Sequence, residues 1–337
     1  MTKNNRHLFN RTPLSRSPTK RLAKLAVLFI TALFVITGCS TQSSGRVKSG
    51  VADSVTVESE NQDTRVRLIV IHHTTGDFHD SFHVLTKKTS RPVSSHYLIP
   101  EPGDPSYPES DLKLYALVSE EKRAWHAGSS YWAGKTSLND MSVGIELVNQ
   151  TYCRGSEQET PNAAEDQEPA RICFFPDFDD TQLAILTDLL KGILERHPDV
   201  KPTDIVGHAD ITPQRKIDPG PRFPWQRLYR LGYGAWYDDD TVFKYWERFR
   251  LDMPPVLTLQ TALNEYGYDI ELSGENDRQS RNVIKAFQMH FLPWQVSGEF
   301  DAQTVAVLYA LLEKYRPGKL ESLPGAEQKM DIPGDEA

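Results

Sequence analysis

The stretch GHADITPQRKIDPG, residues 207–220, places a histidine, a lysine and two aspartates between two glycines and two prolines. The apolar run DIVG precedes His208, which therefore lies at a strand end, where a side chain can project into a cleft. The two prolines stiffen the loop, and a stiff loop is needed to hold metal ligands in a fixed geometry. The stretch predicts a rigid loop that offers His208 and Asp218 as two ligands of a metal ion.

Lys216 and Asp218 are two positions apart, which in an extended segment puts both side chains on one face. Adjacent basic residues then point in opposite directions, so at most one of Arg215 and Lys216 faces the metal. Lys216 is therefore a candidate for stabilising a developing oxyanion. The alternative is an ordinary surface lysine.

A catalytic zinc ion takes three protein ligands and leaves a fourth position open for water. The third ligand is expected at another strand end, and RVRLIVIHHT provides His72 and His73 directly after the apolar run LIVI. Such a run is typical of a strand buried on both faces. It gives no polarity cue about which histidine points to the cleft, so the residues leave both open.

Short apolar runs and one long helical pattern alternate from about residue 65 to 250. SSHYLI, KLYALV, SVGIELV and TDIVGH are further strand candidates, and Leu183, Leu186, Leu190 and Ile193 recur at helical spacing before Pro198. The pattern predicts an α/β domain over 65–250 with a central, mostly mixed β-sheet flanked by helices.

The chain changes character after MPP at 253–255. A glycine turn followed by an aspartate cap occurs twice, at Gly274 to Asp277 and at Gly298 to Asp301. We predict a small three-helix domain over 255–317, followed by a disordered tail over 318–337 that is rich in proline, glycine and acidic residues.

The first 38 residues have the features of an export signal: seven Lys/Arg and no Asp/Glu, then the apolar run LAVLFITALFVITG. The run ends in ITGC and resembles the lipobox of bacterial lipoproteins, which makes Cys39 the candidate lipidated N-terminus. Ser40 after that cysteine suggests sorting to the outer membrane. Residues 39–64 are polar and predict a flexible tether.

Removal of the signal changes the formal net charge from −8 to −15, since it takes away seven basic residues. Such a negative charge argues against nucleic acid as a partner. Beyond Cys39 only Cys153 and Cys173 remain, and export puts them in an oxidising compartment. We expect them to form a disulfide that closes an acidic loop.

Five motifs in this order, IHHT, SSHYLI, WHAG, GIEL and the opening stretch, resemble the zinc-dependent N-acetylmuramoyl-L-alanine amidases, which are related to peptidoglycan recognition proteins. The resemblance is strongest to the branch of outer-membrane lipoproteins facing the periplasm. It extends to about residue 315, because the C-terminal segment resembles the helical peptidoglycan-binding domain of these enzymes.

The resemblance implies one zinc ion per chain, held by His72, His208 and Asp218, with Glu146 and Lys216 as the catalytic residues. It also implies hydrolysis of the amide bond between N-acetylmuramic acid, or its anhydro form, and L-alanine in peptidoglycan or muropeptides. The oligomeric state stays open, as does the choice between anhydro-muropeptides and the intact sacculus.

Two other functions compete with this hypothesis. A non-catalytic peptidoglycan-binding lipoprotein is one, and relatives of that kind lose zinc ligands that are present here. A zinc peptidase is the other, but the chain has no HExxH motif. The residues also leave open whether the side chains of WHAG and SHYL line the substrate cleft or pack in the core: Trp125, His126, His96 and Tyr97.

Overall fold

The computed structural model describes residues 48–49, 52–53, 57–155 and 171–323. The predicted signal peptide (1–38) and Cys39 lie outside this range. In the predicted tether, two short antiparallel strands pair, β1 (Lys48–Ser49) and β2 (Ala52–Asp53). The chain from Gln62 onward forms a separate compact unit.

This unit contains a five-stranded mixed sheet in the order β11–β3–β8–β4–β5. Its first four strands are parallel and β5 is antiparallel to β4. Two hairpins, β6–β7 and β9–β10, lie outside the sheet. The strands are β3 (Leu68–His73), β4 (Tyr97–Ile99), β5 (Tyr115–Ala116), β6 (Tyr131–Trp132), β7 (Lys135–Thr136), β8 (Ser142–Leu147), β9 (Tyr152–Gly155), β10 (Arg171–Phe174) and β11 (Ile205–Gly207).

Helices accompany the sheet, and every element described from His208 to Leu323 is a helix. They are α1 (Phe78–Thr86), α2 (Asp180–Arg196), α3 (His208–Ile211), α4 (Trp225–Arg230), α5 (Asp239–Phe249), α6 (Val256–Tyr266), α7 (Arg278–Phe291), α8 (Ala302–Tyr315) and α9 (Pro317–Glu321). Short 3-10 turns occur at Leu138–Asp140 and Pro202–Asp204. In the part of the chain that the structure describes, no helix is long and apolar enough to cross a membrane.

The sheet occupies the centre of the core. Every residue of β3 and β8 is buried, as expected for strands covered on both faces. The predicted helix after Asp179 is α2, which opens with a capping box on Asp179 and buries Leu186, Leu190 and Ile193. The predicted α/β fold with a mixed central sheet is confirmed.

The C-terminal region follows the predicted three-helix pattern, with α7 and α8 capped by Asp277 and Asp301. These helices do not stand apart from the sheet domain, because α5 packs along α8 and both α3 and α4 contact α7. The prediction of disorder from 318 is wrong for its first residues, since α9 continues to Glu321 and Leu323 is buried. Residues 324–337 lie outside the described part of the chain.

Candidate active site

Three adjacent parallel strands end at the same edge of the sheet, and each delivers one polar side chain there. His72 in β3 is the register partner of Glu146 in β8, and Gly207, which pairs with Ile71, places His208 one position further on. The carboxyl ends of parallel strands are where ligands bind in open α/β sheets. His72, His208 and Glu146 are all buried at this edge.

The loop at 207–220 brings Asp218 to the same place. The Nδ1 atoms of His72 and His208 lie 3.0 Å apart, and the Asp218 Oδ2 atom lies 3.2 Å from the first and 3.1 Å from the second. Ligand atoms about 2.0–2.2 Å from a tetrahedral zinc ion are separated by about 3.3–3.6 Å. Two imidazole nitrogens and one carboxylate oxygen therefore form a triangle close to the size that a metal ion requires, and the three residues could hold one.

The electrostatics keep His72 and Asp218 in the forms that bind metal. Burial lowers the pKa of His72 to about 4, and the neighbouring His208 adds to the effect. Burial alone would raise the pKa of Asp218, but its polar contacts with His208 and, to a smaller extent, with His72 hold it well below its usual range. A neutral imidazole and an ionised carboxylate result, and these are the ligand forms of both groups.

Glu146 lies beside this triangle without being part of it. Burial, together with the neighbouring Asp218 carboxylate and against the opposing charge of Lys216, raises the pKa of its carboxyl to about 8. Its buried Oε2 atom has no hydrogen-bond partner among the described residues. A buried carboxyl with a near-neutral pKa and a free oxygen is suited to proton transfer.

Lys216 and Arg215 have different surroundings. Arg215 donates through Nη2 to the carbonyl of Ser129 at 2.7 Å, whereas Lys216 is exposed and close enough to lower the pKa of Glu146 and of His72. The segment is not extended as predicted, because Arg215 and Lys216 both donate their backbone N–H to Thr212 in a turn. Lys216 nevertheless remains the basic residue whose charge acts on the site.

The loop is held by close packing at two glycines. A Cβ on Gly207 would lie 2.7 Å from Pro219, and a Cβ on Gly220, whose φ is +80°, would lie 2.5 Å from the ring of Phe175. No side chain fits at either position. The same ring also packs against His73, with ring centroids 6.4 Å apart.

Asp210, between the two loop ligands in sequence, connects the loop to the C-terminal helices. Its buried carboxylate accepts hydrogen bonds from the Gly207 N–H at 2.7 Å, the Tyr268 hydroxyl at 2.6 Å and His290 at 2.7 Å. The His290 ring stacks on Trp225, with centroids 3.9 Å apart. Sequence reasoning did not single out Asp210, although its place in the loop motif was a usable signal.

The histidine left undecided by the sequence is positioned differently from His72. His73 is buried, and its Nδ1 atom lies 2.8 Å from the carbonyl oxygen of its neighbour Thr74. It is outside the triangle of ligand atoms. Of the undecided residues in WHAG and SHYL, His126 and His96 are buried, whereas Trp125 is 46% exposed with Arg123 over its ring.

Comparison with known proteins identifies the family. Residues 62–221 match the family described as N-acetylmuramoyl-L-alanine amidase, and residues 252–308 match a peptidoglycan binding domain. The chain is 40% identical over 288 residues to N-acetylmuramoyl-L-alanine amidase AmiD of Escherichia coli, an alignment that covers 85% of this chain and 96% of that protein. The chain belongs to the N-acetylmuramoyl-L-alanine amidase family.

Solved structures of similar proteins support the same family assignment for this amidase. AmpDh3 from Pseudomonas aeruginosa, in complex with anhydromuramic pentapeptide, matches with a TM-score of 0.68 and 41% identity over 77% of this chain and 96% of that one. AmiD from E. coli, in complex with its substrate anhydro-N-acetylmuramic acid-L-Ala-D-gamma-Glu-L-Lys, matches with a TM-score of 0.65 and 39% identity over 80% and 98%. The predicted family and enzyme class are confirmed.

In this amidase the hairpin β9–β10 follows the strand that carries Glu146. Cys153 and Cys173 are register partners on the two strands and are joined by a disulfide across a sequence separation of 20 residues. The rings of Tyr152 and Phe174 stack on the exposed face, with centroids 4.9 Å apart. The disulfide therefore fixes the register of a hairpin whose base, Phe175, packs on the loop of Asp218.

Proposed function

We propose that this amidase hydrolyses the amide bond between the lactyl group of N-acetylmuramic acid and L-alanine, with one zinc ion per chain held by His72, His208 and Asp218. The observation that supports this most directly is the triangle of Nδ1, Nδ1 and Oδ2 atoms beside the Glu146 carboxyl, whose Oε2 atom has no hydrogen-bond partner among the described residues. A zinc ion held by these three residues would supply a water of lowered pKa and would polarise the scissile carbonyl.

Glu146 is the proton-transfer residue in this proposal. Its carboxylate accepts the proton of the attacking water and delivers that proton to the leaving amine of L-alanine. The raised pKa supports both halves of the role, since a carboxyl near neutrality can accept a proton and release it again. The strand β8 fixes its position relative to His72.

Lys216 stabilises the negative charge that develops on the attacked carbonyl oxygen. Two observations support the assignment: its charge acts on Glu146 and His72, and Arg215 is engaged elsewhere by the Ser129 carbonyl. Because Lys216 is exposed, its ammonium group stays hydrated until the substrate binds, and it has room to move towards the substrate.

The substrate proposed is a muropeptide or peptidoglycan strand, and the region 252–308 supplies additional binding to peptidoglycan. The anhydromuramyl peptides bound to the similar amidases are of this class. We also propose that the mature chain is lipidated at Cys39 and faces the periplasm from the outer membrane, as the signal sequence and ITGC indicate. Cys39→Ser should then release the protein from membranes and abolish lipid labelling, whereas retention in the membrane fraction would contradict the anchor.

The decisive experiment is mass spectrometry of the products of a defined anhydro-muropeptide and of purified sacculi, with and without a chelator. We expect free stem peptide beginning with L-alanine, its loss on chelation and its return with added zinc. If the zinc-loaded protein releases nothing yet sediments with sacculi, the chain is a peptidoglycan-binding protein instead.

A further inference from the structure

A chain of hydrogen bonds leads from His72 away from the ligand triangle into the core. The Nε2 atom of His72 lies 2.9 Å from Nδ1 of His126, and Nε2 of His126 lies 3.0 Å from the hydroxyl oxygen of Ser142. The Ser142 hydroxyl lies 2.6 Å from the carbonyl oxygen of Leu138. All three side chains are buried.

Chemistry fixes the direction of this chain from its far end. The Leu138 carbonyl can only accept, so the single hydroxyl proton of Ser142 is donated to it. The Ser142 oxygen then accepts from Nε2–H of His126, which leaves Nδ1 of that ring as an acceptor. His72 must therefore donate from Nε2–H, and its Nδ1 carries a lone pair towards His208 and Asp218.

The ring of His126 is held so that it can make both contacts. It packs flat against β8 at Gly144, where a Cβ would lie only 2.5 Å from the ring. The side-chain oxygen of Asn139 accepts from the backbone N–H of His126 at 3.0 Å and of Ala127 at 2.8 Å. The position of His126 is thus set by a second strand and by a loop, independently of His72.

We propose that His126 is a positioning residue that, together with Ser142, fixes His72 in the Nε2–H tautomer and so presents its Nδ1 lone pair for metal binding. The inference rests on the proposed zinc site, but it concerns hydrogen bonds that are present without the ion. Metal-binding histidines commonly donate their second N–H to a carboxylate, a carbonyl or water. In this protein a buried imidazole takes that place, and its own tautomer is set by a hydroxyl.

The test compares two nearly isosteric substitutions, His126→Asn and His126→Leu. Asparagine keeps an amide oxygen near the position of Nδ1 that can accept from His72, whereas leucine has no acceptor. Zinc affinity, measured by competition with a chromogenic chelator, should fall about 10- to 100-fold in His126→Leu and by clearly less in His126→Asn. The nitrogen chemical shifts of His72 in the metal-free protein should report the Nε2–H tautomer in the wild type and in His126→Asn.

Ser142→Ala keeps His126 and is the second variant, in case His126→Leu does not fold. It removes the group that orients the His126 tautomer, so both tautomers of His72 should be seen in the metal-free protein. Unchanged zinc affinity in His126→Leu, or a single unchanged tautomer in Ser142→Ala, would overturn the proposal. If the wild type binds no zinc, the proposed function fails, while the tautomer measurement still decides the role of His126.

Discussion

His72 and Glu146 are register partners on the neighbouring parallel strands β3 and β8, and both are buried. Paired residues on adjacent strands are about 4.8 Å apart and point to the same face of the sheet. The distance between the candidate metal ligand and the candidate proton acceptor is therefore set by the backbone ladder rather than by flexible loops. Because the sheet holds the two residues independently, substitutions can test metal binding and catalysis separately.

We expect His208→Ala to lose its zinc and His73→Ala to retain it. His208 contributes an atom of the ligand triangle, whereas the ring of His73 lies against the Thr74 carbonyl and Phe175. Elemental analysis of the purified variants measures the outcome, with circular dichroism as the control for folding. Full zinc content in His208→Ala would show that His208 is not a ligand. Loss of zinc in His73→Ala would show that the ligand on β3 is His73 instead of His72.

Glu146→Gln should keep zinc and fold while losing about 10²–10⁴-fold in turnover, the usual cost of removing a general base. The amide is similar in size to the carboxyl, so packing at the end of β8 is retained. Release of stem peptide from a muropeptide measures turnover, and zinc content is measured on the same sample. Wild-type turnover in this variant would show that the Glu146 carboxyl has no catalytic role.

Lys216→Ala should lose about 10²–10³-fold in kcat, and Arg215→Ala considerably less. Both variants remove one positive charge from the same exposed turn, so their comparison isolates position from net charge. The charge of Lys216 lowers the pKa of Glu146, so its loss should also move the lower limb of the pH–rate profile to higher pH. Equal losses in the two variants would argue against a specific role for Lys216.

The hydrogen bonds of Glu120 indicate how the unfolding free energy of the protein changes at acidic pH. Burial alone would raise the pKa of its carboxyl, but hydrogen bonds from Arg196, Tyr97 and His197 outweigh burial and lower it to about 2. The stabilisation is present above the unfolded pKa of about 4.3 and is lost as the pH falls towards 2. The unfolding free energy of the wild type relative to Glu120→Gln should therefore shrink through this window, while the exposed Glu121→Gln shows no such trend.

The strands of the sheet were predictable because each is a short apolar run that ends in polar residues, and the loop motif identified two of the three members of the ligand triangle. The choice between His72 and His73 was not available from the residues, since a strand buried on both faces has no polar side. The place of His126, left open between the substrate cleft and the core, could not be decided for another reason. Its contact with His72 joins positions 54 apart in sequence, and it depends on the packing of the ring against β8 and on the hydrogen bonds of Asn139.

His290→Leu should destabilise the protein by about 1–3 kcal/mol, because it leaves the buried Asp210 carboxylate with one partner fewer. His79→Ala, at an exposed position of α1, is the matched control and should change stability little. Chemical denaturation measures both. A negligible cost in His290→Leu would show that Gly207 and Tyr268 suffice for Asp210.

The hydrogen-bond partners of Asp210 also bear on how cooperatively the protein unfolds. Tyr268 and His290 belong to the region expected to bind peptidoglycan, yet both form hydrogen bonds with Asp210 in the short helix that begins with His208. Removal of residues 255–317 would take away two of the three hydrogen-bond partners of Asp210 and expose one face of Trp225. The two regions that match separate families are therefore expected to melt in a single transition. The loop that carries His208 and Asp218 owes part of its rigidity to helices that contribute no atom to the ligand triangle.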